Sequence, residues 1–167
     1  MKSSIAILAS CAALLMPVLA NFDVYMVDVT DNIFHTHTRA WQVFEAEPKN
    51  CDEVSSKPYW FTMGDVSGDK EGVRCVGSGC DYTPPADNID VLEMNFNNDG
   101  PIYHWTLYKD RGRTMVGLDG NTYGNCIVFP NGDYSCSNHN GAENRHGYRK
   151  FRCLTRFTAD DLNNSVG

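Results

Sequence analysis

Apolar and polar residues alternate with a period of two in segments that recur throughout the chain, and helical periodicity is almost absent. The alternation recurs in seven segments: 22–27, 40–46, 91–96, 102–108, 114–118, 123–129 and 149–157. Successive side chains of a strand point to opposite faces, so this period indicates β-strands with one buried face. Short strands at this spacing predict an all-β fold, a small antiparallel sandwich or barrel.

Clusters of turn-forming residues separate neighbouring predicted strands. Residues 97–101 (Asn-Asn-Asp-Gly-Pro) and 119–122 (Asp-Gly-Asn-Thr) each lie between two alternating segments. Such residues favour tight turns, so both connections predict β-hairpins. Residues 130–132 (Pro-Asn-Gly) suit a three-residue hairpin loop in the same way.

The N-terminus has the order of a secretory signal peptide. Lys2 precedes an apolar run over 5–15, and small or apolar residues follow before a cut at Asn21. The run is too short for a membrane span, and no second apolar segment follows. We therefore expect a signal peptide at 1–20, a single β domain at 21–158, a flexible C-terminal tail at 159–167, and a secreted, extracellular product without a membrane span.

Loss of the signal peptide removes Cys11 and leaves an even number of cysteines: Cys51, Cys75, Cys80, Cys126, Cys136 and Cys153. An even number in an exported chain predicts disulfides. A three-residue loop centred on Asn131 places Cys126 opposite Cys136, which predicts a Cys126–Cys136 bond. The other four allow three pairings, and periodicity does not choose among them. No CxxC pair exists, so we expect no metal site.

The chain is acidic overall, with a formal net charge of −7. Residues 21–100 carry fifteen acids and five bases, whereas residues 101–167 carry six acids and eight bases. Nucleic-acid binding needs clustered cations, so this balance argues against a nucleic-acid partner. The basic stretch over 145–156 is explained by pairing with acids on neighbouring strands, although it could also contact an anionic polymer or a partner protein.

One set of residues could perform catalysis. Glu93, His104 and Arg113 fall on neighbouring predicted strands and supply a carboxylate, an imidazole and a guanidinium. Together these groups could cleave phosphodiesters by acid–base chemistry. The residue types resemble those of the small secreted fungal ribonucleases, although their order and spacing differ. The alternative interpretation of His104 is an ordinary sheet histidine.

Other candidate sites are weaker. His35 and His37 could form half of a metal site, but no third ligand is identifiable, and no cofactor is expected. Asp65, Ser67, Asp69 and Glu71 alternate like calcium ligands, yet Lys70 stands where an EF-hand requires Gly. Asn163 begins a glycosylation sequon. Six aromatic residues could stack on sugars in a carbohydrate-binding module: Tyr59, Trp60, Phe61, Tyr103, Trp105 and Tyr108.

The chain resembles a family of small secreted, cysteine-containing proteins of filamentous fungi. Four segments carry the resemblance: 65–70, 103–106, 115–124 and 150–153. The resemblance implies an effector or elicitor of plant responses that recognises an unknown host protein or cell-wall polymer, and no catalytic residues are carried over from it. Our leading hypothesis is a secreted, non-enzymatic recognition protein. A ribonuclease-like hydrolase and a carbohydrate-binding module are the alternatives.

Overall fold

The computed structural model describes residues 20–164, over which ten strands form one antiparallel sheet. The strands are β1 (Ala20–Asp31), β2 (Thr36–Phe44), β3 (Trp60–Phe61), β4 (Gly72–Val76), β5 (Val91–Asn95), β6 (His104–Tyr108), β7 (Thr114–Gly117), β8 (Thr122–Val128), β9 (Tyr134–Asn138) and β10 (Glu143–Thr155). Two short helices accompany them, α1 (Cys51–Ser56) and α2 (Ala159–Asn163). The all-β prediction is confirmed.

The sheet curls into a nearly closed barrel. Its strand order is β3-β2-β1-β10-β8-β7-β6-β5-β4, and β9 pairs separately with β10. The two end strands meet through one parallel bridge between Thr62 and Val73, where Met63 N donates to the carbonyl of Val73 at 2.8 Å. This contact protects both edges of the sheet from pairing with another chain.

Strand β1 is buried on both faces over residues 22–27, where Asp23 is the one charged residue among apolar and aromatic ones. Phe22, Val24 and Met26 point into the barrel, where they join a core that includes the fully buried Trp41 and Trp105. The opposite face of β1 forms a second cluster, which α1 and β9 cover; its β1 members are Tyr25, Val27 and Val29. The two clusters make β1 the shared wall between the barrel and an outer layer.

The two hairpins predicted at 97–101 and 119–122 are confirmed, because β5 pairs with β6 and β7 pairs with β8. The third predicted hairpin, at 130–132, was wrong. Strands β8 and β9 do not pair with each other; each pairs antiparallel with a different part of β10. The chain therefore continues in one direction along β10 through 130–132 instead of reversing.

The predicted Cys126–Cys136 bond was wrong for the same reason. Cys126 faces Cys153 across the β8–β10 pair and is bonded to it. Cys136 is bonded to Cys51 at the start of α1, and Cys75 to Cys80 just beyond β4. All six predicted disulfide cysteines are thus paired, and the bonds fasten β8 to β10, α1 to β9, and the end of β4 to the following turn.

The C-terminal end is more ordered than the sequence predicted. The predicted signal peptide lies outside the described residues apart from Ala20, which begins β1. The prediction of a flexible tail was wrong for the described residues 159–164. Ala159 and Leu162 of α2 are fully buried, and Thr158 and Asp161 form a capping box. Asn163, the glycosylation candidate, is only 8% exposed, and its Nδ2 donates to the carbonyl of Val43 at 3.2 Å.

The disulfides differ in the length of chain that they close, and this predicts how much each one stabilises the fold. The Cys51–Cys136 bond spans 85 residues and the Cys75–Cys80 bond spans 5. In the chain-entropy model their replacement by paired alanines should cost about 4–5 and about 2 kcal/mol of unfolding free energy, respectively. Urea denaturation of the two double variants measures both values. Equal losses, or a larger loss for Cys75–Cys80, would contradict the pairing.

Candidate ligand-binding cleft

Part of the outward face of strands β4 to β6 carries polar side chains, while the inward face is apolar. In β5, Leu92 and Met94 are fully buried in the core, and Glu93 lies between them on the outer face. The register places Arg74 and Thr106 beside Glu93, and His104 beside Asn95. The outer-face residues are thus neighbours across three strands: Arg74, Glu93, Asn95, His104 and Thr106. The period-two pattern alone brings this polar group together.

Glu93 connects an imidazole and a guanidinium at the centre of this face. Its Oε1 lies 3.0 Å from Nε2 of His104, and its Oε2 accepts a hydrogen bond from Nε of Arg74 at 2.7 Å. The side chains of His104 and Glu93 are only 9% and 16% exposed. Each carboxylate oxygen therefore has a partner, and the imidazole is held in one orientation.

The charge of Glu93 is maintained by its neighbours. Burial alone would raise the pKa of Glu93, but hydrogen bonds from His104 and Arg74 lower it by more, so the net pKa lies below its usual value. The carboxylate is thus ionised at neutral pH and can only accept hydrogen bonds. It follows that Nε2 of His104 carries the hydrogen that it shares with Glu93.

Arg113 does not join this group, so the predicted set of Glu93, His104 and Arg113 was wrong in its third member. His104 begins β6, whereas the backbone N–H of Arg113 donates to Tyr108 at the other end of that strand. Four residues of strand separate these ends by about 13 Å. The guanidinium of Arg113 instead bonds Asp87, at 2.8 Å to the carboxylate and 3.1 Å to the carbonyl.

Arg74 supplies the guanidinium that Arg113 was expected to supply. This role of Arg74 was not predicted, because residues 72–76 show no long alternating segment and β4 was not among the predicted strands. The sequence signal that could have identified Arg74 is its two apolar neighbours, Val73 and Cys75. In the structure Val73 is fully buried and Cys75 packs against the core. Their two-residue spacing puts Arg74 on the opposite, polar face.

Asn95 fixes two loops above the polar face. Its Nδ2 donates to the carbonyls of Val66 and Gly68 at 2.9 and 2.7 Å, which holds the loop after β3. Its Oδ1 accepts from the backbone N–H of Asn97 at 2.8 Å, which shapes the β5–β6 turn. Asn95 is 3% exposed, so its amide is used within the protein. A single buried side chain thus positions two walls of a cleft.

The cleft has a volume of about 480 Å³, a size typical of small-ligand sites. Asn95 and His104 form its floor. Its walls come from the loop after β3, the β5–β6 turn and the β7–β8 turn, which contribute Gly68, Asp69, Asn97, Asn98, Asp99, Gly100, Leu118 and Asp119. Of the described residues that line it, three are aspartates and none is Lys or Arg, so the cleft repels anions.

The remaining sequence candidates lie elsewhere. Nδ1 of His37 lies 3.5 Å from Asp28, and residues 20–164 contain no group of three or more His, Cys, Asp or Glu side chains placed to hold a metal ion. In the calcium-like loop, the carboxylate of Asp65 bonds the ammonium of Lys70 and the backbone N–H of Ser67.

The candidate aromatic residues do not form a flat exposed platform. Trp60 and Trp105 are buried in the core at 1% and 0% exposure. Tyr59 and Phe61 lie closer to the surface, but their rings meet edge to face at 82°. Tyr103 packs against the core, and the guanidinium of Arg111 lies over the ring of Tyr108 at 4.4 Å. A carbohydrate-binding module that stacks a sugar on these aromatic rings is therefore not supported by their arrangement.

No family model matches the chain, and neither the curated proteins nor the solved structures contain a significant match. In the part of the chain that the structure describes, no helix has both the length and the apolar character needed to cross a bilayer.

The ionised carboxylate of Glu93, which pairs with Arg74 and accepts a hydrogen bond from His104, predicts a pH-dependent contribution to stability. Because its pKa is lower in the folded protein than in the unfolded chain, the stabilisation is present above the ordinary Glu pKa of about 4.3 and is lost as pH falls through the folded value. We expect Glu93→Gln to cost about 1–3 kcal/mol at pH 7, because Arg74 and His104 lose a charged partner.

Urea denaturation at pH 7 and pH 3 measures this effect. The difference between the wild-type protein and Glu93→Gln should shrink at pH 3, because the carboxyl of the unfolded chain is protonated there and the lowered pKa of Glu93 in the folded protein then contributes less to stability. Asp110→Asn is the control, since Asp110 is an exposed acid at the far end of β6. A loss that is the same at both pH values would contradict the role given to the Glu93 charge.

Proposed function

We propose that this protein is a secreted, non-enzymatic recognition protein, an effector or elicitor that acts on host cells or in the cell wall. Three disulfides support a role in an oxidising compartment, because such bonds persist mainly outside the cytosol. The signal-peptide pattern at 1–20 and the resemblance to small secreted fungal proteins support the same proposal.

The observation that carries the proposal is the polar cleft above His104 and Asn95. Two of its three walls are held in place by hydrogen bonds that one buried amide donates and accepts, and its floor belongs to the barrel sheet. A site that is formed before the ligand arrives loses little conformational entropy on binding. The cleft is therefore suited to selective recognition of one molecule.

A hydrolase is the second candidate, and the Glu93–His104 contact favours it. A carboxylate that orients a histidine is a common arrangement for a general base. An RNA substrate is disfavoured, because Asp69, Asp99 and Asp119 at the cleft would repel its phosphates. If this candidate is correct, the purified protein should release products from its ligand, whereas the recognition proposal predicts binding without turnover.

Infiltration of the purified, oxidised protein into leaves tests the recognition proposal. We expect a defence or cell-death response, measured as ion leakage. Leu118→Asp should reduce the response, because Leu118 is 74% exposed at the cleft and the variant adds a charge there without disturbing the core. Leu154→Asp is the matched control on β10, outside the cleft, and should retain the response.

The absence of any response to the wild-type protein, together with unchanged virulence when the gene is deleted from its source organism, would contradict the proposal. Equal responses to the two leucine variants would show that the cleft is not the recognition site.

A further inference from the structure

The ring of His104 has one nitrogen that the protein does not use. Its Nε2 faces the carboxylate of Glu93 at 3.0 Å, and that acceptor requires the hydrogen to be on Nε2. In the neutral imidazole, Nδ1 is then an unprotonated acceptor. No hydrogen bond among the described residues engages Nδ1, although the side chain is only 9% exposed and lines the cleft.

Among the described residues, Nδ1 of His104 is not one of the buried polar atoms that lack a partner, so it is accessible from the cleft and open to a donor. A ligand in the cleft could supply the missing donor. A ligand that binds at the floor should therefore have an O–H or N–H group that donates to Nδ1 of His104. Because the ring is held in one orientation, that donor must lie in the direction of Nδ1.

The hydrogen-bonding groups on the walls of the cleft restrict the class of ligand that can bind. The carboxylates of Asp69, Asp99 and Asp119 accept hydrogen bonds and repel anions, while the amides of Asn97 and Asn98 both donate and accept. A ligand with many neutral hydroxyl groups matches this set, because each hydroxyl both donates and accepts. Phosphates, sulfates and uronic acids do not match it.

Asp119 is held in an orientation that lets its carboxylate accept hydrogen bonds from ligand hydroxyls. Its carboxylate accepts hydrogen bonds from the hydroxyl of Tyr123 and from the backbone and side chain of Asn121. The hydrogen bond from Tyr123 is the main reason why the pKa of Asp119 is lowered. The group is thus held as an oriented, ionised acceptor at the rim.

Leu118 adds an apolar contact beside these polar groups. It lies next to Asp119 in the β7–β8 turn and is 74% exposed. Sugar rings present C–H groups on their faces and hydroxyls at their edges, so an exposed aliphatic side chain next to hydrogen-bonding groups fits their two kinds of surface.

We propose that the cleft binds a neutral oligosaccharide, one hydroxyl of which donates to Nδ1 of His104 while its ring packs on Leu118. This assignment rests on the proposed recognition function and names its ligand class. It concerns the cleft and not the aromatic residues that the sequence suggested.

Titration calorimetry and NMR shift mapping with soluble hexasaccharides test the assignment. The neutral probes are β-1,3-glucan, chitin, cellulose and xylan hexamers, which distinguish fungal from plant cell-wall sources. Hexagalacturonate and hexalysine are the anionic and cationic probes. We expect at least one neutral hexamer to bind, with shifts at the cleft, and neither charged probe to bind as tightly.

The variants form two matched pairs. His104→Ala should weaken binding about tenfold, as expected for the loss of one well-placed hydrogen bond, whereas His146→Ala, at an exposed histidine on β10, should not. Leu118→Ala should weaken binding about threefold through lost contact area, whereas Leu154→Ala should not. The exposed leucines keep the test valid if His104→Ala fails to fold.

Failure to bind any neutral hexamer, tighter binding of a charged probe, or equal effects within each pair would overturn the assignment. If leaves respond through the cleft but no neutral hexamer binds, the ligand class is wrong and the recognition role stands. If a neutral hexamer binds but leaves do not respond, the ligand class stands and the recognition role is wrong.

Discussion

A fully buried carboxylate on β1 determines how the long strand β10 is aligned. Asp23 accepts hydrogen bonds from Arg152 at 2.6 and 2.8 Å and from Arg149 at 3.1 Å, and the ring of Phe129 contacts both guanidinium groups. A buried carboxylate without its cations would be strongly destabilising. The pairing therefore excludes any register of β1 and β10 that separates these three charged residues.

A β-bulge makes this arrangement possible. The register shifts between Val24 and Tyr25, which pair with Phe151 and Arg149, so Lys150 has no partner in the ladder. Arg149 and Arg152 thereby reach the same face, and the ammonium of Lys150 bonds three carbonyls of the 81–84 segment. The Cys126–Cys153 bond fastens β8 to β10. Strand β8 follows the β7–β8 turn, which forms one wall of the cleft, so the alignment of β10 also helps to position that wall.

The sequence predicted those parts of the fold in which local pattern and final pairing agree. Strands β5 to β8 and their two hairpins followed from alternation and turn residues, and this placed Glu93 and His104 together. The bulge at Lys150 and the extended course of residues 130–132 depend on pairing between β10 and strands distant in sequence. A short stretch of sequence does not show which distant strand pairs with which, so these features were not predicted. Arg113 was misplaced because it lies beyond the end of β6 opposite to His104, where its guanidinium bonds Asp87 instead of Glu93.

A double-mutant cycle between Asp23 and Arg152, with Asp23→Asn and Arg152→Gln, tests the central claim most directly. Unfolding free energies of the four proteins should give a coupling of about 2–3 kcal/mol, as expected for buried partners in one network. The exposed pair Arg39 and Asp81, whose side chains are 38% and 61% exposed, is the reference and should couple by less than about 1 kcal/mol. Additivity at Asp23 and Arg152 within about 0.5 kcal/mol would contradict the claim that this buried ion pair holds β10 in register.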